Sequence, residues 1–171
     1  MLTLPIIPLT KAGFAAFGDV VETADVRPRL INEGFANRFD DLANIDVAAD
    51  GGEVNISLFV GSVRPSPIAI RMMERHPLGS QLFMPLNDAP WLVVVCTDPA
   101  VPSSYRAFAA SGRQGVNCAR NCWHHPLLVT VEASPFFVVD RKGRGDNLEE
   151  AWLEESHWMS LGSEGASGEA R

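Results

Sequence analysis

The chain has 171 residues, of which 46% are hydrophobic and 20% are charged, and its formal net charge is −7. This composition excludes global disorder, and the length is enough to bury a hydrophobic core. The acidic balance gives no support for nucleic-acid binding, which needs a basic face. No apolar run reaches about 18 residues and no basic segment precedes an apolar one, so we expect no membrane association and a cytoplasmic location.

The first element after an apolar N-terminal strand is a short helix. Thr10 is typical of an N-cap, and Phe14 and Phe17 lie three residues apart on one helical face. Gly18 can close the turn that follows, and residues 19–22 then begin the next strand. The pattern therefore predicts a helix whose aromatic face is buried.

Short strands make up most of the remaining chain. Residues 30–42 mix polar and aromatic groups and suit a strand and loop near a site, whereas residues 54–60 alternate as a half-buried strand does. Residues 91–96 read as a strand buried on both faces, and residues 136–140 as the last core strand.

The C-terminal part contains fewer strand signals. Asn147 is typical of a helix cap and predicts a short helix through Leu153, while His157 is expected at the surface. Residues 161–171 are small and polar, which predicts a disordered tail after a single domain of residues 1–160.

Strands at spacings near ten residues, separated by Gly, Pro and Asn-Asp turns, favour a mainly β fold, an antiparallel sandwich or barrel with a few short helices. Strands that are apolar on both faces need two covers, and a barrel interior supplies only one. We therefore expect a homodimer, in which the second copy covers the outer face.

The cysteines do not indicate a metal site or a disulfide framework. Cys96, Cys118 and Cys122 are odd in number and form no CxxC pair. We expect free thiols packed as small apolar groups in a reducing compartment.

Two runs concentrate residues that can carry chemistry. Glu74 and His76 are two apart and share one face of a strand, Gln81 follows after a turn, and His124 lies in the second run. The pattern resembles the cupin motifs, HxHxxxxE and a distant histidine at the mouth of a small barrel, with Glu74, His76, Gln81 and His124 as candidate metal ligands. Carboxylate and imidazole bind divalent metals well, but an amide oxygen is a weak ligand, which argues against stable metal binding.

Longer runs resemble the ureidoglycolate lyase family of the allantoin pathway, formerly called ureidoglycolate hydrolase. The combination of ERHP-G-Q with WHHPL is more specific than either half. In family order, the matching runs are FAAFGDVVE (14–22), INEG and RFDDLA (31–43), ERHPLGSQLFMP (74–85), RAF and GRQGVN (106–117), WHHPLL (123–128) and VVDRKG (138–143).

The resemblance implies a cupin-like β-barrel homodimer that cleaves (S)-ureidoglycolate into glyoxylate and urea. Some members are credited with a divalent metal, nickel among them, and others are metal-free, so both alternatives stay open. This chain has Cys118 where members often carry Tyr, and Asp40 where they often carry His. If either group touches substrate, the specificity is shifted.

The chemistry of a carbinolamide suggests roles for the motif residues. Its breakdown needs a base for the hydroxyl proton and a proton for the leaving urea nitrogen, but no nucleophile. We expect His124 or Glu74 to be the base, and His76 or a water to protonate urea. If a metal is bound, its imidazole ligands are not free bases, and Glu74 or bound water takes that role.

Substrate binding needs a cation for the carboxylate. Arg38 is the candidate, chosen over four other arginines, because its fork can hold a carboxylate and it lies in a polar family-matching run; the alternative is a surface arginine paired to an aspartate. Asn32, Gln81 and Asn117 are candidates for hydrogen bonds to the urea group. The four other arginines are Arg75, Arg106, Arg120 and Arg141.

Adjacent strand residues face opposite ways, so only one of His124 and His125 should enter the barrel. The cupin alignment chooses His124 and leaves His125 to pack at a dimer interface. Two rival functions use the same pocket: a metal-dependent cupin dioxygenase or isomerase, and a non-enzymatic sensor of a small organic acid.

Overall fold

The computed structural model describes residues 2–155 and 158–161. It contains one α-helix, α1 (Lys11–Phe14), and three 3₁₀ helices, at Asn32–Gly34, Ala49–Gly51 and Pro102–Ser104, within these residues. The strands are β1 (Leu2–Leu4), β2 (Ile6–Pro8), β3 (Gly18–Val21), β4 (Arg29–Ile31), β5 (Ala36–Arg38), β6 (Glu53–Gly61), β7 (Ala69–Ile70), β8 (Met72–Arg75), β9 (Gln81–Pro85), β10 (Trp91–Cys96), β11 (Arg106–Ala110), β12 (Gly115–Cys118), β13 (Trp123–His124), β14 (Leu128–Val129), β15 (Ser134–Lys142), β16 (Glu149–Trp152) and β17 (Met159–Leu161).

Two large sheets carry the fold. The front sheet has the strand order β3-β12-β9-β15-β6, and the back sheet has the order β16-β8-β13-β10-β11-β2, with β14 also paired to β10. A small cover sheet, β1-β17-β7, and a separate hairpin of β4 and β5 complete the set. The mainly β, cupin-like fold predicted from the sequence is confirmed, although the sheets do not close into a barrel.

Strand β10 is buried on both faces, as predicted. Val93 and Val95 belong to the core cluster that also holds Phe83 and Phe136 of the front sheet. Val94 and its same-face neighbours belong to a second cluster, which includes residues of the cover sheet. The second cover of β10 is therefore supplied by the same chain, and the burial of this strand does not need a partner subunit.

The predicted N-terminal helix is present, although it is short. The Thr10 side chain accepts a hydrogen bond from the Gly13 backbone N–H at 3.0 Å, as an N-cap should. Phe14 and Phe17 are buried and pack on Phe108 of the back sheet, with ring centroids 5.7 and 6.5 Å away. The helix thus closes one end of the space between the sheets.

Strand β6 is present, but the prediction that it is half-buried is wrong for the single chain. It is the edge strand of the front sheet, and four of its apolar residues lie on the face opposite to Phe59, which packs on the core residue Phe83. Val54, Ile56, Leu58 and Val60 are 49, 63, 67 and 66% exposed. The alternation correctly predicted a strand, but no described residue of the same chain covers this face.

The predicted helix after Asn147 is wrong, because Glu149–Trp152 form strand β16 and pair antiparallel with β8. The Asn147 side chain instead holds the turn between β8 and β9: its oxygen accepts a hydrogen bond from the Leu78 backbone N–H at 2.8 Å. The local helix signal is overridden because β8 would otherwise leave an open sheet edge with unpaired backbone groups.

Other predictions concern the termini and the cysteines. The three cysteines are free, and Cys96 and Cys118 are buried as expected. His157 and nearly all of the predicted disordered tail, residues 162–171, lie outside the described residues. No helix in the described part of the chain is both long and apolar enough to cross a bilayer.

Candidate active site between the two sheets

A cluster of titratable side chains lies where β8, β9 and β13 come together. His124 of β13 is directly opposite Glu74 of β8 in the antiparallel register, and His76 follows β8 by one residue. Donor atoms of Glu74, His76 and His124 all lie within 4.8 Å of one another. The structure therefore brings together the three residues that the motif spacing selected.

The hydrogen bonds of His76 define which of its nitrogens is available for chemistry. Its Nδ1 lies 2.7 Å from the carbonyl oxygen of Asn147. A carbonyl oxygen only accepts, so Nδ1 carries hydrogen and donates, which leaves Nε2 facing the cluster. A fixed ring orientation of this kind is typical of histidines that bind a metal or transfer a proton.

Gln81 lies against the other side of the His76 ring. Its Oε1 is 3.2 Å from His76 Nε2, and its Nε2 points at the Asp140 carboxylate at 3.4 Å. Asp140 only accepts, so it holds the amide group in this orientation and directs the oxygen to His76. A neutral Nε2 and an amide oxygen would both present lone pairs, so this contact is favourable only when a proton or a cation lies beside Nε2.

His124 is almost completely buried and stays neutral near pH 7. Its Nδ1 lies 3.3 Å from the His125 carbonyl oxygen and 3.8 Å from Glu74 Oε1. Burial, and after it the neighbouring His76, lowers the pKa of His124 to about 3. Its Nε2 is buried without a hydrogen-bond partner among the described residues. An unpartnered buried imidazole nitrogen is costly unless it binds something.

Glu74 is a stronger base than an exposed carboxylate. Burial raises its pKa, and this effect outweighs the opposing charge of His76; Glu150 raises the pKa further and Arg64 lowers it. A raised pKa brings a carboxyl group closer to the range in which it exchanges a proton efficiently near neutral pH.

A chain of hydrogen bonds extends the site across the front sheet, and sequence reasoning missed most of it. Asp140 accepts from Asn55 Nδ2 at 2.8 Å, and the same amide contacts Ser57 Oγ at 3.2 Å. Asn55 and Ser57 alternate with the apolar outer residues of β6, so polar residues on one face of an apolar strand were the available signal.

The cluster fits a divalent metal ion. Metal–ligand bonds of ~2.0–2.2 Å place opposite ligands about 4 Å apart, so donor atoms within 4.8 Å need little contraction. The unpartnered His124 Nε2 and the lone-pair contact between His76 and Gln81 are also what a cation would relieve. Two imidazoles and a carboxylate with open positions suit nickel, iron or zinc.

Two predicted substrate-binding residues lie outside this cluster. Arg38 is at the end of the β4–β5 hairpin, with 56% of its side chain exposed, and it forms an ion pair with Asp40. Asn32 is exposed and begins a 3₁₀ turn with a positive φ of 52° in the same hairpin. The contacts of Arg38 match the alternative interpretation, a surface arginine paired to an aspartate. Substrate binding by Arg38 stays a prediction.

Asn117 and Cys118 face opposite sides of β12. Asn117 donates through Nδ2 to Asp19 at 3.0 Å and to the Asn44 carbonyl at 2.8 Å, so it fastens the segment that covers the outer face. Cys118 pairs with Gln81 in the register and belongs to the core between the sheets. Of the two departures from the family pattern, Cys118 therefore lies at the site.

His124 and His125 are both buried, which agrees with opposite orientations as well, because both faces of the back sheet are covered. Strand β13 ends at His124, so the alternation of side chains along the strand does not fix the direction of the His125 side chain. Its Nδ1 donates to the Pro126 carbonyl at 2.8 Å, and burial lowers its pKa to about 4. Because its own chain already buries it, His125 does not need a dimer interface for cover.

Acidification is expected to destabilise the fold between pH 6.5 and 4. Folding lowers the pKa of His124 from 6.5 to about 3 and that of His125 to about 4. The unfolded chain therefore takes up protons that the folded chain excludes, and each histidine removes up to about 1.4 kcal/mol from the free energy of unfolding per pH unit. Glu74 acts in the opposite sense, because its raised pKa lets the folded chain retain a proton.

Urea denaturation at pH 7, 6 and 5 measures this slope. In the variant His125→Gln, the free energy of unfolding should depend less steeply on pH, by about the contribution of one proton. An identical slope in the variant and the parent protein would contradict the lowered pKa of His125.

Comparison with known proteins identifies relatives over nearly the whole chain. The family model described as ureidoglycolate lyase matches residues 1–160. A protein named ureidoglycolate lyase from Burkholderia mallei (strain NCTC 10229) is 52% identical over 161 residues, which cover 94% of this chain and 95% of the relative. One of the same name from Brucella ovis is 54% identical over 149 residues, covering 86% of this chain and 88% of the relative.

Among solved structures, a 3,4-ketoisomerase from Helicobacter canadensis has a TM-score of 0.43 and 11% identity, covering 81% of this chain and 86% of that protein.

Proposed function

The chain belongs to the ureidoglycolate lyase family, and from this premise we propose that it cleaves (S)-ureidoglycolate to glyoxylate and urea in allantoin catabolism. The observation that carries the proposal is the relationship over residues 1–160. The cluster of Glu74, His76 and His124 supports it, because these groups supply what a carbinolamide elimination needs.

In the proposed reaction Glu74 removes the proton of the substrate hydroxyl. The electron pair of that O–H bond forms the carbonyl of glyoxylate, and the carbon–nitrogen bond breaks with its electrons leaving on the ureido nitrogen. That nitrogen takes a proton and departs as urea. Positioned acid and base groups typically contribute ~10²–10⁴-fold each.

The proton for the leaving nitrogen has two sources in the cluster. His76 supplies it from Nε2 when no metal occupies that nitrogen, since Nδ1 is already engaged with Asn147. Otherwise Glu74 returns the proton that it removed, directly or through water. His124 stays neutral, with its Nδ1 near the His125 carbonyl, and its ring packs beside His76 with centroids 5.4 Å apart.

We propose nickel as the divalent metal of this site. Glu74, His76 and His124 would hold it, with the Gln81 oxygen as a weak fourth ligand. Bound there, it would act as a Lewis acid toward the substrate hydroxyl. Glu74 has two carboxylate oxygens, so one can face the metal while the other faces the substrate proton.

The front sheet offers groups that match the urea end of the substrate. Gln81, Asp140 and Asn55 form a connected row of amide and carboxylate groups beside the cluster. Urea presents N–H donors, and Asp140 can accept from one of them through a remaining lone pair. Asn55 already donates to Asp140 and to Ser57, so its role is to hold the Asp140 carboxylate in place. The predicted contribution of Gln81 to urea binding is part of this proposal.

The assay that tests the function measures urea and glyoxylate together. The purified protein should release both from (S)-ureidoglycolate in equal amounts, well above the spontaneous background. If neither product is released, the proposed function is wrong, and the protein acts on another substrate or only binds a ligand.

We propose that the protein is a homodimer that buries the outer face of β6. The four exposed apolar residues of that strand continue the outer face of the front sheet, where Phe137 and Val139 of β15 lie beside them. An apolar edge strand left open in solution favours further association, so natural proteins cover such edges. The free thiols are consistent with a reducing cytoplasm, where we place the protein.

Replacing both Ile56 and Leu58 with lysine should convert the dimer to a monomer, because two charges would be buried without partners. Light scattering coupled to size exclusion measures the mass. Val101→Lys is the matched control, since Val101 is also an exposed apolar residue but lies in a loop away from β6. A double variant that remains dimeric would place the interface elsewhere.

A further inference from the structure

A cavity lies near the cluster of Glu74, His76 and His124, between β8 and the segment that precedes it. Its volume is about 360 Å³. It is lined by Arg64, Arg71, Met72, His125 and Trp152 together with small residues and prolines of the segment that precedes β8. Two of the lining residues are arginines, which favours an anionic ligand. The Arg71 guanidinium lies 4.3 Å from the centroid of the Trp158 ring, so Arg64 is the stronger candidate.

The wall of this cavity continues the sheet face that carries Glu74. Met72 precedes Glu74 by two residues in β8, so both side chains point to the same face, about 7 Å apart. Trp152 pairs with Met72 in the register, as Glu150 does with Glu74. His125 follows His124 directly. Glu74, His76 and His124 are not among the lining residues, but a ligand in the cavity lies on the strand face that carries Glu74, one residue pair away from it.

Arg64 is the arginine of this cavity whose charge is available to a ligand. It forms no ion pair with any residue in the ranges 2–155 and 158–161. Its charge nevertheless acts on both Glu74 and His125, lowering the pKa of each. Arg64 therefore places a positive charge in the wall of the cavity that it shares with His125.

The arginines chosen from the sequence as carboxylate candidates are already engaged. Arg38 pairs with Asp40. Arg75 donates to Glu149 at 2.7 Å and lies over the Trp123 ring. The remaining contacts are Arg120 with Asp46 at 3.5 Å, Arg106 with the carbonyls of Ser103 and Tyr105, and Arg141 with the carbonyls of Ala49 and Arg144.

We propose that Arg64 binds the carboxylate of the substrate in this cavity. The inference rests on the proposed function, because ureidoglycolate carries its carboxylate on the carbon that also bears the reacting hydroxyl. The cation that holds this carboxylate must therefore lie within a few ångströms of the base. Arg64 lines the same cavity as Met72, which shares a strand face with Glu74, and its planar fork suits a carboxylate.

The kinetic test compares Arg64→Ala, Arg64→Lys and the parent protein. Losing a charge-assisted contact of ~1.5–3 kcal/mol should raise KM at least about tenfold while kcat changes less, because the contact is made in ground state and transition state alike. Arg64→Lys should recover part of the loss. Arg113→Ala is the control, since Arg113 is exposed and pairs with Asp88 in a remote turn.

Binding of oxalurate separates failure of this inference from failure of the proposed function. Oxalurate has a carbonyl in place of the carbinol, so it keeps the carboxylate and cannot undergo the elimination. Calorimetry should show binding to the parent protein and to Arg113→Ala but at least about tenfold weaker binding to Arg64→Ala.

An active parent protein with unchanged KM and oxalurate affinity in Arg64→Ala would overturn the inference and leave the function standing. A larger effect in Arg38→Ala than in Arg64→Ala would also overturn it. An inactive parent protein that binds oxalurate through Arg64 would overturn the function and leave the carboxylate site standing.

Discussion

Replacing His124 with alanine is expected to lower the turnover of (S)-ureidoglycolate by at least ~10²-fold, and by up to ~10⁴-fold. The residue lies 3.8 Å from Glu74 and its ring centroid is 5.4 Å from that of His76, so its loss disturbs both groups. A metal held by the three residues would lose one of its two imidazole ligands. The same substitution therefore affects the metal-bound and the metal-free reaction.

The measurement needs a control for folding, because His124 is buried and also contacts Phe83 with centroids 6.1 Å apart. Alanine leaves a cavity there, whereas His124→Gln retains most of the volume and one hydrogen-bonding group. Both variants should keep the circular dichroism spectrum of the parent protein and lose activity together. A folded variant with near-parental turnover would remove His124 from the site.

Removing divalent metal is expected to have an effect of similar size. After dialysis against EDTA, turnover should fall by at least ~10²-fold, since a bound cation contributes several kcal/mol of charge stabilisation. Nickel should restore activity better than magnesium, because imidazole ligands favour nickel and magnesium prefers oxygen. Elemental analysis should find one metal per chain in the active protein and less in Glu74→Gln.

Activity that survives chelation would contradict the metal proposal and leave the family reaction intact. Glu74 and His76 would then act as base and acid without a cation. In that case the proton between His76 Nε2 and Gln81 would account for their 3.2 Å contact.

The sequence by itself determined the elements whose signals are local. The Thr10 cap sets the start of α1, and the continuous apolar run of residues 91–96 is buried on both faces. The spacing of Glu74, His76 and Gln81, with the distant His124, was sufficient to select a cluster that the fold then brings together. These features depend on a few neighbouring residues or on a motif that keeps its spacing, and such information is present in the chain.

Only the tertiary structure decided which other groups reach that cluster. Asn55 and Asp140 are 85 residues apart and meet through the pairing of β6 with β15. Arg64 lines a cavity with Met72 and His125 because its segment leads into β8, whereas Arg38 is held by Asp40 in a separate hairpin. Residues 149–152 became a strand because β8 offered an open edge. Strand register and long-range pairing fix these neighbours, and local periodicity cannot specify either one because it contains no information about partner strands.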